Sequence, residues 1–229
     1  MWNFDTPYFA TSIKDFWRRW HISLSQWLRD YIYIPLGGNK NGRIRKYINL
    51  MITFLISGLW HGAAWHYVVW GGIHGVYQIA GECFAPIQEK FKTAYHKTAS
   101  ISYKITQICI TYFLVCVAWI FFRAESVRQA IGIIKRIVCK INPWVLFGDA
   151  LVENLSLEIH YFKIIGVALV FWLLVEISQY KKHELLPELL SKQVIWFRWG
   201  VLVFMMGFIG IYGVYGPGYD ASSFIYFQF

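Results

Sequence analysis

Two histidines stand where a titratable group is costly. His61 lies in Gly58-Leu59-Trp60-His61-Gly62, between the apolar runs 47–60 and 63–80. Imidazole is the side chain best suited to take a proton near neutral pH, so at membrane depth its natural role is general base. The alternative is a histidine that only bonds a neighbouring helix. His21 follows Trp20 in an aromatic stretch; it either takes part in chemistry or rests at headgroup level, with its apolar body inward and its polar tip in water. His66 and His74 read as packing or hydrogen-bonding residues, and Gly71-Gly72-Ile73-His74-Gly75 is small enough for close helix approach. His96, His160 and His183 fall in connections and carry no assignment.

Other chemistries are missing from the pattern. There is no Ser-His-Asp spacing, phosphate-binding loop, dinucleotide fingerprint or metal-ligand pair. Cys83, Cys109, Cys116 and Cys139 lack paired spacing and read as packing residues. The segment Gly37-Gly38-Asn39-Lys40-Asn41-Gly42, with Arg43, Arg45 and Lys46, has two readings. Its backbone N–H groups and cations suit the phosphates of a cofactor, and they equally suit a basic cytoplasmic turn.

The elements that must hold these residues are membrane elements. The 229 residues are 57% hydrophobic and 15% charged, with a mean hydropathy of +0.40; a soluble domain carries about a quarter charged residues. Aromatics reach 20%, the kind of ring that collects at membrane–water interfaces. Net charge is +9, but the cations sit in short clusters between apolar runs, which marks topology and excludes a nucleic-acid-binding face. The start, Met-Trp-Asn-Phe-Asp, does not read as a signal peptide.

Residues 12–33 are expected to form one interfacial helix, with Ser12 as cap, Asp15 in the first turn, and Trp17, His21, Leu24, Leu28 and Tyr31 along one side. It should end at Pro35, leaving 12–46 as interfacial helix plus basic loop. Residues 47–60 as helix reach about 21 Å, short of a ~30 Å hydrocarbon core. His61 is therefore expected at the end of a half-membrane element beside a cavity, within a region 47–80 that holds this half-span and the following helix. Clear spans are expected at 105–122, 161–178 and 194–215, joined by the connections 81–104, 123–160 and 179–193. A surface helix is expected at 127–141, with Val127, Ala130, Ile131, Ile134, Ile137 and Val138 opposed by Arg128, Lys135 and Arg136. The expected fold is an all-α integral membrane protein, a polytopic bundle with interfacial and re-entrant helices around a tunnel. Basic residues in every connection leave its orientation open, and a single helix break without repeated halves argues against a transporter.

The blocks Phe16-Trp17-Arg18-Arg19-Trp20-His21-Ile22-Ser23-Leu24-Ser25, Trp27-Leu28-Arg29-Asp30-Tyr31-Ile32-Tyr33-Ile34-Pro35-Leu36-Gly37-Gly38-Asn39, Gly58-Leu59-Trp60-His61-Gly62-Ala63 and Trp70-Gly71-Gly72-Ile73-His74-Gly75 together resemble the membrane-bound O-acyltransferase (MBOAT) family. The ending Phe224-Ile225-Tyr226-Phe227-Gln228-Phe229 is similar more weakly. The Pro-Leu-Gly-Gly-Asn wording is nearest the bacterial alginate O-acetylation branch and its polysaccharide and peptidoglycan relatives. The resemblance implies His61 as the characteristic catalytic histidine and His21 as a second histidine on the same pore, positioning a substrate or polarising a carbonyl. Trp60 and Trp20 would shape the tunnel and exclude water, and Arg19 and Asn39 would contact substrate. It further implies no tightly bound cofactor, an acyl thioester donor such as acetyl-CoA at the cytoplasmic side, and a polysaccharide acceptor outside. An SGNH-type periplasmic transferase would often be the partner, and the seat would be the bacterial inner membrane. Family members run to about twice this length, so 1–229 reads as the C-terminal portion of one such domain. Two other readings stay open: D-alanyl transfer to teichoic acid, and a non-catalytic pore or assembly subunit.

Overall fold

The computed structural model describes residues 2–94, 100–140, 159–182, 184 and 186–212. Among these the chain is helical, apart from turns and one extended pairing of Phe4 with Trp20. A short 3-10 turn, Pro7–Phe9, precedes α1 (Ile13–Arg19) and α2 (Ile22–Leu28), and a π turn (Arg29–Tyr33) continues α2. Then come α3 (Gly42–Trp60), α4 (Trp65–Ala94), α5 (Ile101–Arg123) and α6 (Val127–Cys139), followed by α7 (Ile159–Lys182), α8 (Leu186–Ser191) and α9 (Ile195–Tyr212). The chain forms two compact units, Met1–Val167 and Ala168–Phe229.

The single interfacial helix expected over 12–33 is broken in two. It starts as anticipated: Ser12 Oγ accepts from the Asp15 N–H at 3.1 Å, and the Asp15 carboxylate reaches back to the Thr11 N–H. It stops because residues 3–5 take the backbone groups that a continuous helix would use. Arg19 O accepts from Asp5 N–H at 2.9 Å, while Ile22 N–H donates to Asn3 O and Ser23 N–H to Asn3 Oδ1, both at 3.0 Å. Trp20 is extended and His21 turns to φ 45°, ψ 55° before α2 begins. Trp17, Leu24 and Leu28 are buried as expected, whereas Tyr31 is exposed.

Arg43, Arg45 and Lys46 lie in the first turns of α3 instead of a loop. Beyond this charged start, α3 keeps the short apolar stretch anticipated for 47–60, and it stops at Trp60, directly before His61. Helix α4 runs past the expected end at Ala80 to Ala94, carrying Pro86 inside it. Glu82 on that extension pairs with Lys46, tying the start of α3 to the far half of α4.

Helices α3 and α4 meet backbone to backbone. A Cβ at Gly58 would overlap the Tyr67 carbonyl, and one at Gly71 the Phe54 carbonyl. Such contact is open only to glycine, and small residues are what allow helices to associate where lipid removes the hydrophobic drive between them. The core of the first unit gathers on this pair: Ile13, Phe16 and Trp17 from α1, Phe54 and Trp70, then Val115, Ala118 and Phe121 from α5.

Among the described residues, three helices are long and apolar enough to cross a membrane: Ile101–Arg123, Ile164–Lys182 and Ile195–Tyr212. At 23 residues the first reaches about 34 Å, enough for the hydrocarbon core. These helices overlap the expected 105–122, 161–178 and 194–215; the end of the last and the 224–229 segment lie outside the described residues. In the second unit, Phe171, Leu174, Phe204 and Met206 are exposed, as apolar side chains facing lipid would be. The expected surface helix is α6, capped by Ser126 Oγ; Ala130 is buried while Ile131, Ile137 and Val138 are exposed. Cys83, Cys109 and Cys139 are exposed, so the reading of all four cysteines as packing residues is corrected for three.

Gly71→Val should force α4 off α3, an overpacking cost of about 1–3 kcal/mol. Thermal unfolding in detergent would read this as a clear fall in midpoint, and an unchanged midpoint would show that the two backbones are not pressed together here.

Candidate active site

His61 is placed by the end of α3. Its N–H donates to Gly58 O at 3.1 Å, and Gly62 (φ 150°) turns the chain towards α4. The His61 side chain is 8% exposed and stands among edge-on rings: Trp60 at 4.8 Å, Phe122 at 5.0 Å and Trp70 at 5.2 Å, each within ten degrees of perpendicular. Among the described residues no hydrogen bond engages either ring nitrogen. His61 and His21 both lie outside the three spans. Burial, and after it the charge of His21, lower the His61 pKa, so the ring is held as the neutral, proton-accepting imidazole.

His21 approaches the same cage through Trp60, whose ring is 6.2 Å from His21 and 4.8 Å from His61. Burial lowers the His21 pKa too, against a smaller opposing effect of a backbone hydrogen bond, and its Nδ1 is buried without a partner. A left-handed conformation is uncommon for a residue other than glycine and persists only where neighbours over-determine it. The three hydrogen bonds from residues 3–5 do that here.

Trp20 joins from behind. It stacks on Phe16 at 5.6 Å and meets Trp119 edge-on at 5.2 Å, and Trp119 in turn stacks on Trp70 at 5.8 Å. The fold thus gathers His61, His21, Trp60 and Trp20 into one aromatic assembly. Trp70, Trp119 and Phe122 were not read from the sequence as site residues. Trp70 follows Val68 and Val69 in an apolar run; its place at the head of the Trp70-Gly71-Gly72-Ile73-His74-Gly75 block was the signal that could have found it, whereas the other two come from distant α5.

Arg19 and Asn39 stand apart from this cage. The Arg19 guanidinium holds Asp15 at 2.9 Å through Nε and Thr6 Oγ1 at 3.2 Å through Nη1, which helps to fix the start of α1. Asn39 accepts from Tyr33 OH and faces a different place, a cavity of about 470 Å³ between the α1–α2 region and the α3–α4 pair. Lys14, Trp17, Arg18, Arg29 and Lys46 also line it. Lys46 pairs with Glu82 and Arg29 with Asp30, whereas Lys14 and Arg18 make no ion pair among the described residues. The reading of the 37–42 loop as a backbone cradle is corrected at three positions. The N–H groups of Gly37 and Gly38 bond to Ile34 O and Tyr33 O at the end of the π turn, and that of Lys40 to Gly37 O. His61 is not among the residues lining this cavity.

His66 and His74 have structural partners, as anticipated. His66 Nδ1 lies 3.3 Å from Phe121 O, and His74 Nδ1 accepts from Trp17 Nε1–H at 3.2 Å.

A family model described as the membrane-bound O-acyltransferase family matches residues 1–123. A peptidoglycan O-acetyltransferase of Helicobacter pylori is 43% identical over 136 residues, 59% of this chain and 24% of that protein. A probable alginate O-acetylase AlgI of Pseudomonas syringae pv. tomato is 45% identical over 130 residues, 57% of this chain and 23% of that protein. A teichoic acid D-alanyltransferase of Bacillus subtilis is 32% identical over 130 residues, 54% of this chain and 32% of that protein. The chain thus spans about a quarter to a third of the length of these curated relatives.

The strained turn makes its own prediction. An L-residue in the left-handed region costs about 1–2 kcal/mol relative to glycine. His21→Gly should therefore unfold at a higher temperature than His21→Ala in detergent, and the reverse order would show that the turn does not hold this conformation.

Proposed function

Because the chain belongs to the membrane-bound O-acyltransferase family, we propose that it serves to move an acetyl group from a cytoplasmic thioester, acetyl-CoA, towards an extracytoplasmic polysaccharide. The acceptor hydroxyl belongs either to the sugar or to a serine of an SGNH-type periplasmic partner, and the seat is a bacterial inner membrane. The observation that carries this reading is His61 itself: a neutral imidazole, buried among three rings, with no hydrogen bond engaging its nitrogens among the described residues and a second histidine across Trp60. The acetyl-transferring relatives support acetate as the cargo.

In this reading His61 takes the proton of the attacking hydroxyl. The hydroxyl oxygen bonds to the thioester carbonyl carbon, the carbon–sulfur bond breaks, and the proton passes from His61 to the departing sulfur. His21, held in its strained turn, orients the carbonyl or the hydroxyl; such positioning is worth several powers of ten when the reacting atoms are held in near-attack geometry. Trp60, Trp20 and their ring neighbours keep water from hydrolysing the thioester. The basic cavity, with Lys14 and Arg18 on its wall, is suited to the phosphates of the donor.

His61→Ala in the intact transfer system should lower acetyl ester on the surface polymer by at least about 100-fold, the usual weight of a general base. Unchanged acetylation would favour a pore or assembly subunit, for which deletion of the chain abolishes transfer while this substitution does not. The Bacillus relative favours D-alanyl transfer as a second reading, and transfer from a D-alanyl carrier protein without any use of acetyl-CoA would establish it.

The pH profile is a separate check. A base whose pKa is lowered stays unprotonated at pH values where an ordinary histidine, near 6.5, takes up a proton. Transfer should therefore hold its rate as pH falls from about 7.5 to about 6, and a loss centred near the ordinary value would contradict the buried, neutral imidazole.

A further inference from the structure

We propose that His74 is a positioning residue for the transfer reaction, holding Trp17 as a wall of the basic cavity and Trp70 as a wall of the His61 cage. This rests on the acyl-transfer reading above and names a residue that the reading does not use. His74 lies on α4 and is fully buried. Its Nδ1 accepts the Trp17 indole N–H at 3.2 Å, a bond that joins α1 to α4. A neutral imidazole that accepts at Nδ1 must carry its proton on Nε2, and that Nε2 is buried without a partner.

This arrangement is not what packing alone would select. The ring lies nearly parallel to Phe16 and Phe54 at 6.3 Å each, a slot that a phenylalanine would fill. Histidine instead leaves one buried donor unanswered, which is unfavourable. What it alone provides is an acceptor for Trp17. The edges of the ring meet Trp17 at 5.0 Å and Trp70 at 5.2 Å. Trp17 lines the 470 Å³ cavity, and Trp70 stands 5.2 Å from His61. The side chain thus stands between the wall suited to the donor and the cage of the base. Gly71 and Gly75 keep α3 close enough to enclose it; a Cβ on Gly75 would press on Met51 Sδ.

The test uses membranes carrying the intact transfer system, with acetyl-CoA as donor probe, or the D-alanyl carrier thioester if that proves to be the substrate. His74→Phe keeps the ring and removes the acceptor. It should raise the donor KM roughly fivefold, the weight of one such hydrogen bond, with kcat per folded protein little changed. His74→Asn places an acceptor near the Nδ1 position and should bring KM back. The pair Trp17→Phe with His74→Phe removes donor and acceptor together, so thermal stability should recover while KM stays raised. If KM recovers along with stability, or never moves in His74→Phe, the residue is structural only and the proposal is overturned.

A second measurement needs no turnover. Nitrogen-15 NMR of the histidines, with His74 assigned by its loss in His74→Asn, should show an Nε2–H tautomer whose Nδ1 signal shifts in Trp17→Phe. An Nδ1–H tautomer would overturn the proposal directly. The two readings also fail separately: transfer that survives His61→Ala defeats the acyl-transfer reading, whereas an unaltered KM in His74→Phe beside an inactive His61→Ala defeats only this one.

Discussion

The contact between the backbones of α3 and α4, made through Gly58 and Gly71, is the constraint on which the site depends. With a Cβ at either place the helices would part, because the atoms in the way are carbonyls and not adaptable side chains. Their approach brings the last turn of α3 against the first turns of α4, so that His61, next to Trp60, arrives beside Trp70. Helix α5 then packs on α4 and supplies Phe122 and Trp119. A protein in lipid cannot rely on water to drive such an assembly, so close van der Waals fit and a few buried hydrogen bonds take that role.

The second constraint is at the other histidine. Residues 3–5 lie along the Trp20–Ile22 break and complete the hydrogen bonds that the interrupted helix leaves open. The break turns His21 out of the path of α1 and lets it face Trp60. A continuous amphipathic helix would have kept His21 in the row of Trp17 and Leu24. The strain at His21 is local, and the hydrogen bonds that hold it come from a distant part of the chain.

Burial in this chain has two meanings. In the first unit it marks the aromatic core, where His61, His74, Trp70 and Phe16 are enclosed by protein. In the second unit the apolar side chains of α7 and α9 are mostly exposed, which is natural for helices whose solvent is lipid. Cations follow the same logic. Lys14, Arg18, Arg29 and Lys46 line the cavity between the α1–α2 region and α3–α4, whereas Arg43 and Arg45 at the start of α3 and Arg128, Lys135 and Arg136 on α6 stay exposed.

The membrane class, the three spans and the break at His61 could be read from the chain because each depends on local quantities. Run length, hydropathy and the helical rise of 1.5 Å per residue decide them without reference to any other segment. The word-like blocks around His21 and His61 also carried the family. What local pattern could not supply was partnership. The helical spacing of Trp17, His21 and Tyr31 was real, yet Asn3 and Asp5 took the hydrogen bonds that would have made it one helix. Spacing likewise does not reveal that Arg19 bonds to Asp15 and Thr6, or that Asn39 accepts from Tyr33 on the wall of the basic cavity. Trp119, Phe122 and the Trp17–His74 bond exist only once α1, α4 and α5 are packed together. Sequence by itself determined that a titratable ring would sit at a helix end in an apolar region. Tertiary structure decided which rings surround it and which histidine faces it, because those contacts join residues that share neither a helix face nor a turn.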